Sequence, residues 1–499
     1  MTTIASNIKT TRLKTADQIS RAAVSVRIVA ALAASLALVG CTTPIVKSSV
    51  QVPSQYAAAP ATTSEPEVAW WESFGDPVLS DLIRRAAHEN RDIKIAAERV
   101  RAARAGETIS RSLLFPSVGV SAGGLDYRTG YGSPLNQYVP DIQGAGGSVN
   151  VAWEVDLSGR LQSGAAAAAA DTLAAAHGER GVRLLVMTDV ATNYLTLVGA
   201  LRQIETVRAI AAAQDETLRL VSARQRAGLA TPFDVERAQT DASQAHAAIP
   251  PLETLAAVSR HRIAVLVGDQ AFGAARIVPW TGSVITPPVQ PGQPAELLER
   301  RPDLLAAKAQ LDAATARRQQ AAAEWFPRLF LNAASGRQTV ELNALDLGAT
   351  RFTNVFGLLA MPIFNAGRTQ AINVAAESAQ SEALLRYEHG IVRALEDVEN
   401  ALVALQGERR REATLQSAAA SAQAALGRAQ SLYDRGQIDL LPLLDAQRAR
   451  LAVRVSANNS NTQLLLDTVQ LYKALGGGWQ VFEPATRPAA ADTKPSPQS

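Results

Sequence analysis

Apolar and polar positions follow two rhythms along this chain, and the pair of rhythms occurs twice. From Ile93 to Leu114 the apolar residues fall at helical spacing, and the pattern ends at Phe115-Pro116. Proline disfavours helix in the residue before it, so the helix stops there. The period then becomes two. Ser117-Val118-Gly119-Val120-Ser121-Ala122-Gly123 reads as a strand, residues 124–147 as a loop rich in Gly, Pro, Asn and Tyr, and Ser148 to Val155 as a second strand. From about Gly159 to Ala227 proline is absent and alanine dominates. That stretch predicts a single helix of roughly 100 Å at 1.5 Å per residue. A tight turn at Gly228 and a shorter helix from Pro232 to Val267 close the unit.

The second copy repeats the order. A helix from Leu304 to Trp325 stops at Phe326-Pro327, strands run from Leu329 to Ala334 and Phe352 to Ile363, and a proline-free helix spans Gly367 to Arg435. A turn at Gly436 leads to a helix from Leu440 to Leu475. Asn90-Arg91-Asp92-Ile93 answers Arg301-Pro302-Asp303-Leu304, and Leu114-Phe115-Pro116 answers Trp325-Phe326-Pro327, both at an offset of 211 residues. Asp156-Leu157-Ser158-Gly159-Arg160 answers Phe364-Asn365-Ala366-Gly367-Arg368, and Gly228 answers Gly436, at 208. Landmarks kept in order at near-constant spacing indicate a tandem structural duplication. The chain divides accordingly into a segment 41–90, a first repeat 91–270, a linker 271–300, a second repeat 301–480 and a disordered tail 481–499 rich in Pro, Ala and Ser.

Strand number then constrains assembly. Two hairpins supply four strands of about ten residues, a length suited to crossing an outer membrane. Four strands cannot close a barrel, and an open edge in lipid leaves backbone groups unpaired at several kcal/mol each. Copies of the chain must share one barrel. Two copies would give about eight strands with a filled interior, and three would give about twelve with room for a channel.

Charge changes this picture little. The formal charge of +3 arises in residues 1–40, which carry a net +4. The remainder is therefore close to neutral, with no basic field for nucleic acid. Those 40 residues form a leader with a basic start and an apolar run of 12 residues, Ile28 to Val39, too short to span a bilayer. The run ends in Leu38-Val39-Gly40-Cys41, which resembles a bacterial lipobox. By that resemblance Cys41, the only cysteine, receives a diacylglyceryl group and an N-acyl chain and becomes the first mature residue. Thr42 in the next position favours the outer membrane. Several acyl chains, at about 0.8 kcal/mol per buried CH₂, make a durable anchor.

Together these features carry a resemblance to a family. Its marks are the lipobox, Trp70-Trp71-Glu72-Ser73-Phe74-Gly75-Asp76-Pro77-Val78-Leu79, Asn90-Arg91-Asp92, Arg301-Pro302-Asp303-Leu304, the two Phe-Pro exits, Asn365-Ala366-Gly367-Arg368 and Leu444-Asp445-Ala446-Gln447-Arg448. The chain resembles the TolC-type outer membrane factors of tripartite efflux systems, in their lipoprotein NodT branch, over nearly all of residues 41–480. The resemblance implies a mainly α fold with a membrane β-barrel. Each chain would supply one third of a twelve-stranded barrel and a twelve-helix periplasmic tunnel. It implies a homotrimer in the outer membrane and a passive exit duct for drugs, metals or other small molecules. A periplasmic adaptor and an inner-membrane pump of the RND type would be its partners.

The resemblance also points to a gate. Acidic residues near the helix tips hold the family's periplasmic aperture shut. Asp445 falls on one of these positions, Pro442 occupies the other, and Asp439 is the nearest substitute. Arg448 lies three residues beyond Asp445, on the same helix face, and Asp234 is the tip-proximal acid of the first copy. A ring of carboxylates about a three-fold axis would give cation selectivity and a pH-sensitive gate. The plain alternatives are a solvated surface pair for Asp445 and Arg448, and a helix-start carboxylate for Asp234. The turns Gly228-Leu229 and Arg435-Gly436 would meet the adaptor, or their glycines simply end helices.

Nothing in the sequence suggests catalysis or a cofactor other than the acyl chains on Cys41. The five histidines make no metal-spaced pair, and Gly476-Gly477-Gly478 lacks the Lys-Ser/Thr of a phosphate loop. Two other functions share parts of this pattern. The exit pore of a protein secretion system has the same architecture. A lipid-anchored structural coiled coil would need no membrane-length strands.

Overall fold

The computed structural model of the protein describes residues 48–58, 67–128, 130, 132, 134–135, 138, 141–270, 277–282, 284–342 and 345–483. Cys41, the leader and residues 484–499 of the tail lie outside the described residues. The first repeat is built from α2 (Arg91–Ser112), β1 (Ser117–Tyr127), β2 (Ile142–Val155), α3 (Arg160–Arg226), α4 (Pro232–Ala247) and α5 (Ile249–Leu266), after an initial helix α1 (Pro77–Glu89). The second repeat is α6 (Pro302–Ala322), β3 (Arg328–Leu342), β4 (Leu345–Ala360), α7 (Arg368–Asp434) and α8 (Leu440–Ala474). The two long helices, α3 and α7, have 67 residues each.

The four strands form one antiparallel sheet in the order β1-β2-β3-β4, so the two hairpins join along β2 and β3. Nearby, α3 packs between α2 and α6, and α6 against α7. The helices thus stand in the same order as the strands they lead into, and sheet and helices form one continuous wall. Towards the far ends α3 packs on α4, α5 and α8, and α8 packs on α7.

Register divides the sheet into two faces. Val118 pairs with Val151, Val120 with Val149, Trp153 with Leu331, and Ala333 with Val355, all on one side. Ser121 pairs with Ser148, Asn150 with Ala334, and Ala334 with Asn354 on the other. Asn150 Nδ2 donates to Ser121 Oγ at 2.8 Å, which ties the polar face across the strands. Val118, Val120 and Val355 are 69%, 82% and 75% exposed, so among the described residues nothing covers them on the apolar face.

The strands are longer than their alternation suggests, at 11, 14, 15 and 16 residues. Both ends of the expected 124–147 loop, residues 124–127 and 142–147, are strand. Glycine carries no side-chain signal for a strand, but here it permits close pairing. A Cβ on Gly336 would sit 2.2 Å from the carbonyl oxygen of Gly147 in the neighbouring strand. A second difference concerns the expected helix from Pro232 to Val267, which is interrupted at Ala248. Pro250 and Pro251 lack the N–H groups that would bond to the carbonyls of His246 and Ala247. A third concerns the tail. Trp479–Phe482 forms a 3-10 turn, and the Phe482 ring stacks on Trp71 at 5.7 Å. Apolar contact therefore packs Phe482 against the core.

That core lies in the middle of the long helices. Trp70 and Trp71 are wholly buried, with Trp70 stacked on Tyr472 at 5.3 Å, among Phe74, Met187 and Val469. A second cluster gathers Ile391, Val398, Leu402 and Leu471 between α7 and α8. Towards the helix tips Ile210, Ala211 and Ala245 form a small cluster, and Val221, Tyr433, Leu443 and Leu444 are buried nearer the turns. The motifs read from the sequence fasten this middle region. Asn90 caps α2 by accepting from Asp92 and Ile93 N–H, and its Nδ2 donates to Leu266 O at the end of α5 at 2.9 Å. Arg301 begins α6 and donates to Ala474 O at the end of α8 at 3.2 Å, while pairing with Asp303 and Asp397. The two repeats thus lock helix start to helix end at corresponding carbonyls with different chemistry.

Asp76 holds the third fastening. It is 1% exposed, accepts from Val78 and Leu79 N–H to cap α1, and accepts from the Tyr194 hydroxyl of α3 at 2.7 Å. Tyr194 in turn accepts from Trp280 N–H in the inter-repeat linker. Burial and the bond to Asp76 push the Tyr194 hydroxyl well above its ordinary range. Replacing Asp76 by Ala should destabilise the protein by about 3 kcal/mol, since it removes a cap and a charge-assisted buried bond. Tyr194→Phe should cost less than half as much, because the cap remains. Denaturation followed by the fluorescence of the buried tryptophans measures both.

Candidate functional site: the helix tips and their charge ladder

The two hairpins of long helices end side by side. At each tip the chain leaves its long helix through a glycine in the left-handed region, Gly228 at φ 74° and Gly436 at φ 69°. Gly228 N–H donates to Gln225 O and Leu229 N–H to Arg224 O, and the bonds from Gly436 to Tyr433 and from Gln437 to Leu432 repeat the arrangement. These paired bonds satisfy the last carbonyls of a helix and need a residue free to take positive φ, hence glycine. The Arg224 guanidinium lies 5.0 Å from the centre of the Tyr433 ring, which joins the tip of one hairpin to the other. Leu229 and Phe233 are 70% and 66% exposed, and Arg435 reaches back to Ser431 Oγ at 2.7 Å.

Beyond the turns, α4 and α8 face each other across four charges. On α8, Arg448 donates two bonds to the carboxylate of Asp241 on α4, the shorter at 2.6 Å. Arg237 of α4 stands 3.7 Å from Asp445 of α8, and Arg448 also lies 3.8 Å from Asp445. The signs cross: each helix carries one acid and one base, and each side chain has its opposite on the other helix. Asp241 is 6% exposed, so its charge depends on Arg448. The Asp445 side chain is 60% exposed and its pair is long, so its attraction is screened and contributes little to stability. Gln447 Nε2 donates to Thr217 Oγ1 of α3 at 3.1 Å and completes the seam.

The sequence-derived gate residues therefore separate into three roles. Asp445 and Arg448 belong to the ladder. Asp439 occupies the residue before α8, exposed, with no hydrogen bond or ion pair among the described residues. Asp234 forms a reciprocal capping box with Thr231 at the start of α4. The bond from Thr231 N–H, and then that from its hydroxyl, hold the Asp234 carboxyl below the usual carboxylate range. Pro442 fits the first turn of α8, where an N–H would have no helical partner. Arg237 and Asp241 were not anticipated. The repeat carries a signal for Arg237, which lies 208 residues before Asp445 as Gly228 lies before Gly436. Asp241 has no such signal, because the corresponding residue of the second copy is Ala449. Among the described residues no cluster of three His, Cys, Asp or Glu could hold a metal.

An antiparallel sheet with one apolar and one polar face, continued by helices of 67 residues, is a section of the wall of a transmembrane channel. The sequence profile of the outer membrane efflux protein family matches residues 82–269 and 294–477, and the chain belongs to that family. It is 32% identical over 416 residues to the outer membrane protein OprJ of Pseudomonas aeruginosa, covering 82% of this chain and 86% of OprJ. It is 31% identical over 450 residues to the pyoverdine export outer membrane protein OpmQ of the same species, covering 88% and 94%. The solved structure of the outer-membrane channel OprN superposes with a TM-score of 0.78 at 28% identity, over 88% of this chain and 100% of that one. The protein is thus an outer membrane channel component of an efflux system.

The ladder can be tested directly. A double-mutant cycle on Asp241→Asn and Arg448→Gln should give a coupling of about 1–2 kcal/mol, reduced from a fully buried pair because Arg448 is half exposed. The Asp234 cap has a definite pH sign. Its carboxyl is depressed by folding, so its stabilisation is present above the unfolded value and is lost as pH falls through the folded value. Hydrogen exchange in the first turn of α4 should therefore speed up on acidification, and Asp234→Ala should show the fast rate at neutral pH.

Proposed function

We propose that three copies of the chain close a twelve-stranded barrel and a twelve-helix tunnel, and that the assembly is a passive duct gated at the helix tips. The observation that carries this reading is the sheet itself: β1 and β4 each pair on one side only, and their free edges flank an uncovered apolar face. In lipid those edges need partners, and neighbouring copies supply them, β4 of one against β1 of the next. Three copies give a lumen wide enough for cargo.

The duct performs no chemistry of its own. An inner-membrane pump of the RND type drives transport, and a periplasmic adaptor joins pump to duct. The exposed Leu229 and Phe233 beside Gly228, with Arg435 beside Gly436, offer the adaptor an apolar tip ringed by polar groups. Cys41 carries the acyl chains that hold the mature N-terminus in the outer membrane. Cargo is small molecules, the class that includes the pyoverdine named for OpmQ.

At the tips, Asp445 faces the aperture with Arg237 and Arg448 behind it, and Asp439 adds a second, unpaired carboxylate closer to the turn. In the closed state the ladder holds α8 against α4. Movement of α8 opens the aperture and exchanges the crossed pairs for water.

Purified protein should run as a trimer in native mass spectrometry and should conduct ions in planar bilayers. A stable monomer with no conductance would remove the duct. Asp445→Ala and Arg448→Ala should each raise permeability to bulky antibiotics across the outer membrane, with expression and trimers unchanged. Equal permeability would take these residues out of the gate. Cys41→Ser should abolish incorporation of labelled palmitate.

A further inference from the structure

The apolar face of the sheet ends in two like charges. From the pair Leu329 and Leu359 to the pair Ser335 and Thr353, no residue of this face on β3 or β4 is charged. In the next pair of the face Arg337 stands directly opposite Arg351. Gly147 of β2 and Ala122 of β1 continue that row and bring no carboxylate to it. Both arginines are exposed, and neither has a hydrogen bond or ion pair among the described residues. The acids nearest along these two strands, Glu341 opposite Asp346, lie four residues further on β3, about 13 Å away.

Like charges directly opposite each other, with Cβ atoms about 5 Å apart, destabilise a sheet. An anion between them reverses the sign. Two guanidinium forks that close together match the oxygens of a phosphate, which each can engage bidentately. The position says where the anion comes from. Arg337 is eight residues beyond Leu329, about 26 Å along the strand. A barrel strand's tilt reduces this to about 20 Å of depth, close to the height of the apolar band of such barrels. Leu329 lies at the helix end of β3, so the arginines lie at the end away from the helices. Long arginine side chains there extend from the edge of the hydrocarbon into the headgroups. The exposed Val355, four residues before the Arg351 level on the same face, offers acyl chains a surface beneath the charge.

We propose that Arg337 and Arg351 clamp the phosphate of an outer-leaflet lipid whose acyl chains lie on the apolar face below. The site rests on the reading that this face meets lipid, and is independent of any gate at the tips.

The test is native mass spectrometry of the whole protein titrated with diphosphorylated lipid A and with the same lipid stripped of its phosphates. Wild type should retain the phosphorylated lipid more tightly by about tenfold or more, and Arg337→Gln/Arg351→Gln should lose that preference. The variant keeps its sheet, because it removes a like-charge pair and no bond. A preference that survives in the variant would overturn the clamp, and so would wild type that holds both lipids equally. Displacement of the lipid by millimolar inorganic phosphate would overturn the lipid as occupant. Subunit number and bilayer conductance, measured on the same samples, separate this site from the barrel. Conducting trimers without a phosphate preference overturn the site alone, and a monomer without conductance overturns both.

Discussion

The unpaired edges of the sheet constrain everything else in this molecule. A backbone N–H or C=O has no water to turn to in hydrocarbon, so each one along β1 and β4 must find a strand. Among the described residues no strand supplies it, since β1 and β4 are the outer members of a four-stranded sheet. Duplication explains why there are four strands and not two, and the shared order of strands and helices explains how the wall continues beyond them. In the proposed assembly a single copy is a stave, and its lateral surfaces meet identical neighbours.

Apolar packing is distributed unevenly along that stave. The middle is held by buried tryptophans and by three polar fastenings, at Asp76, Asn90 and Arg301. The tip-ward stretch has a three-residue apolar cluster, buried Val221, Leu443 and Leu444, two cavities beside α8 and a ladder of opposed charges. Hydrophobic contact resists separation in proportion to area. Crossed ion pairs bring specificity of register at small net energy, because water compensates the charges when they part. In the proposed gate, the contact between α4 and α8 thus includes an interaction that water readily replaces.

Much of this was legible in the sequence. The loss of proline from 159 to 227 and from 367 to 435 marked both long helices, and the recurring Gly228 and Gly436 marked both tips. Periodicity works where side chains carry the signal. It failed in residues 124–127 and 142–147, where glycines form strand through backbone contact with a neighbour such as Gly336. It also passed over the break at Ala248, although Pro250 and Pro251 stood in plain view within an apolar helical pattern. For the site, Asp445 and Arg448 followed from the family pattern. Asp241 did not, because its role arises from the meeting of α4 and α8, more than 200 residues apart in the chain. The capping function of Asp234 was one of two readings the local sequence allowed, and the reciprocal bonds to Thr231 account for it.

The break at Ala248 makes the two arms of the duplication mechanically unequal. In the second arm α8 runs unbroken for 35 residues, so a bending load spreads along its whole length. In the first arm the same load concentrates at one articulated point, where two carbonyls lack their helical donors. One ancestral module has thus kept an unbroken ladder of helical bonds in one arm and lost two successive donors from it in the other.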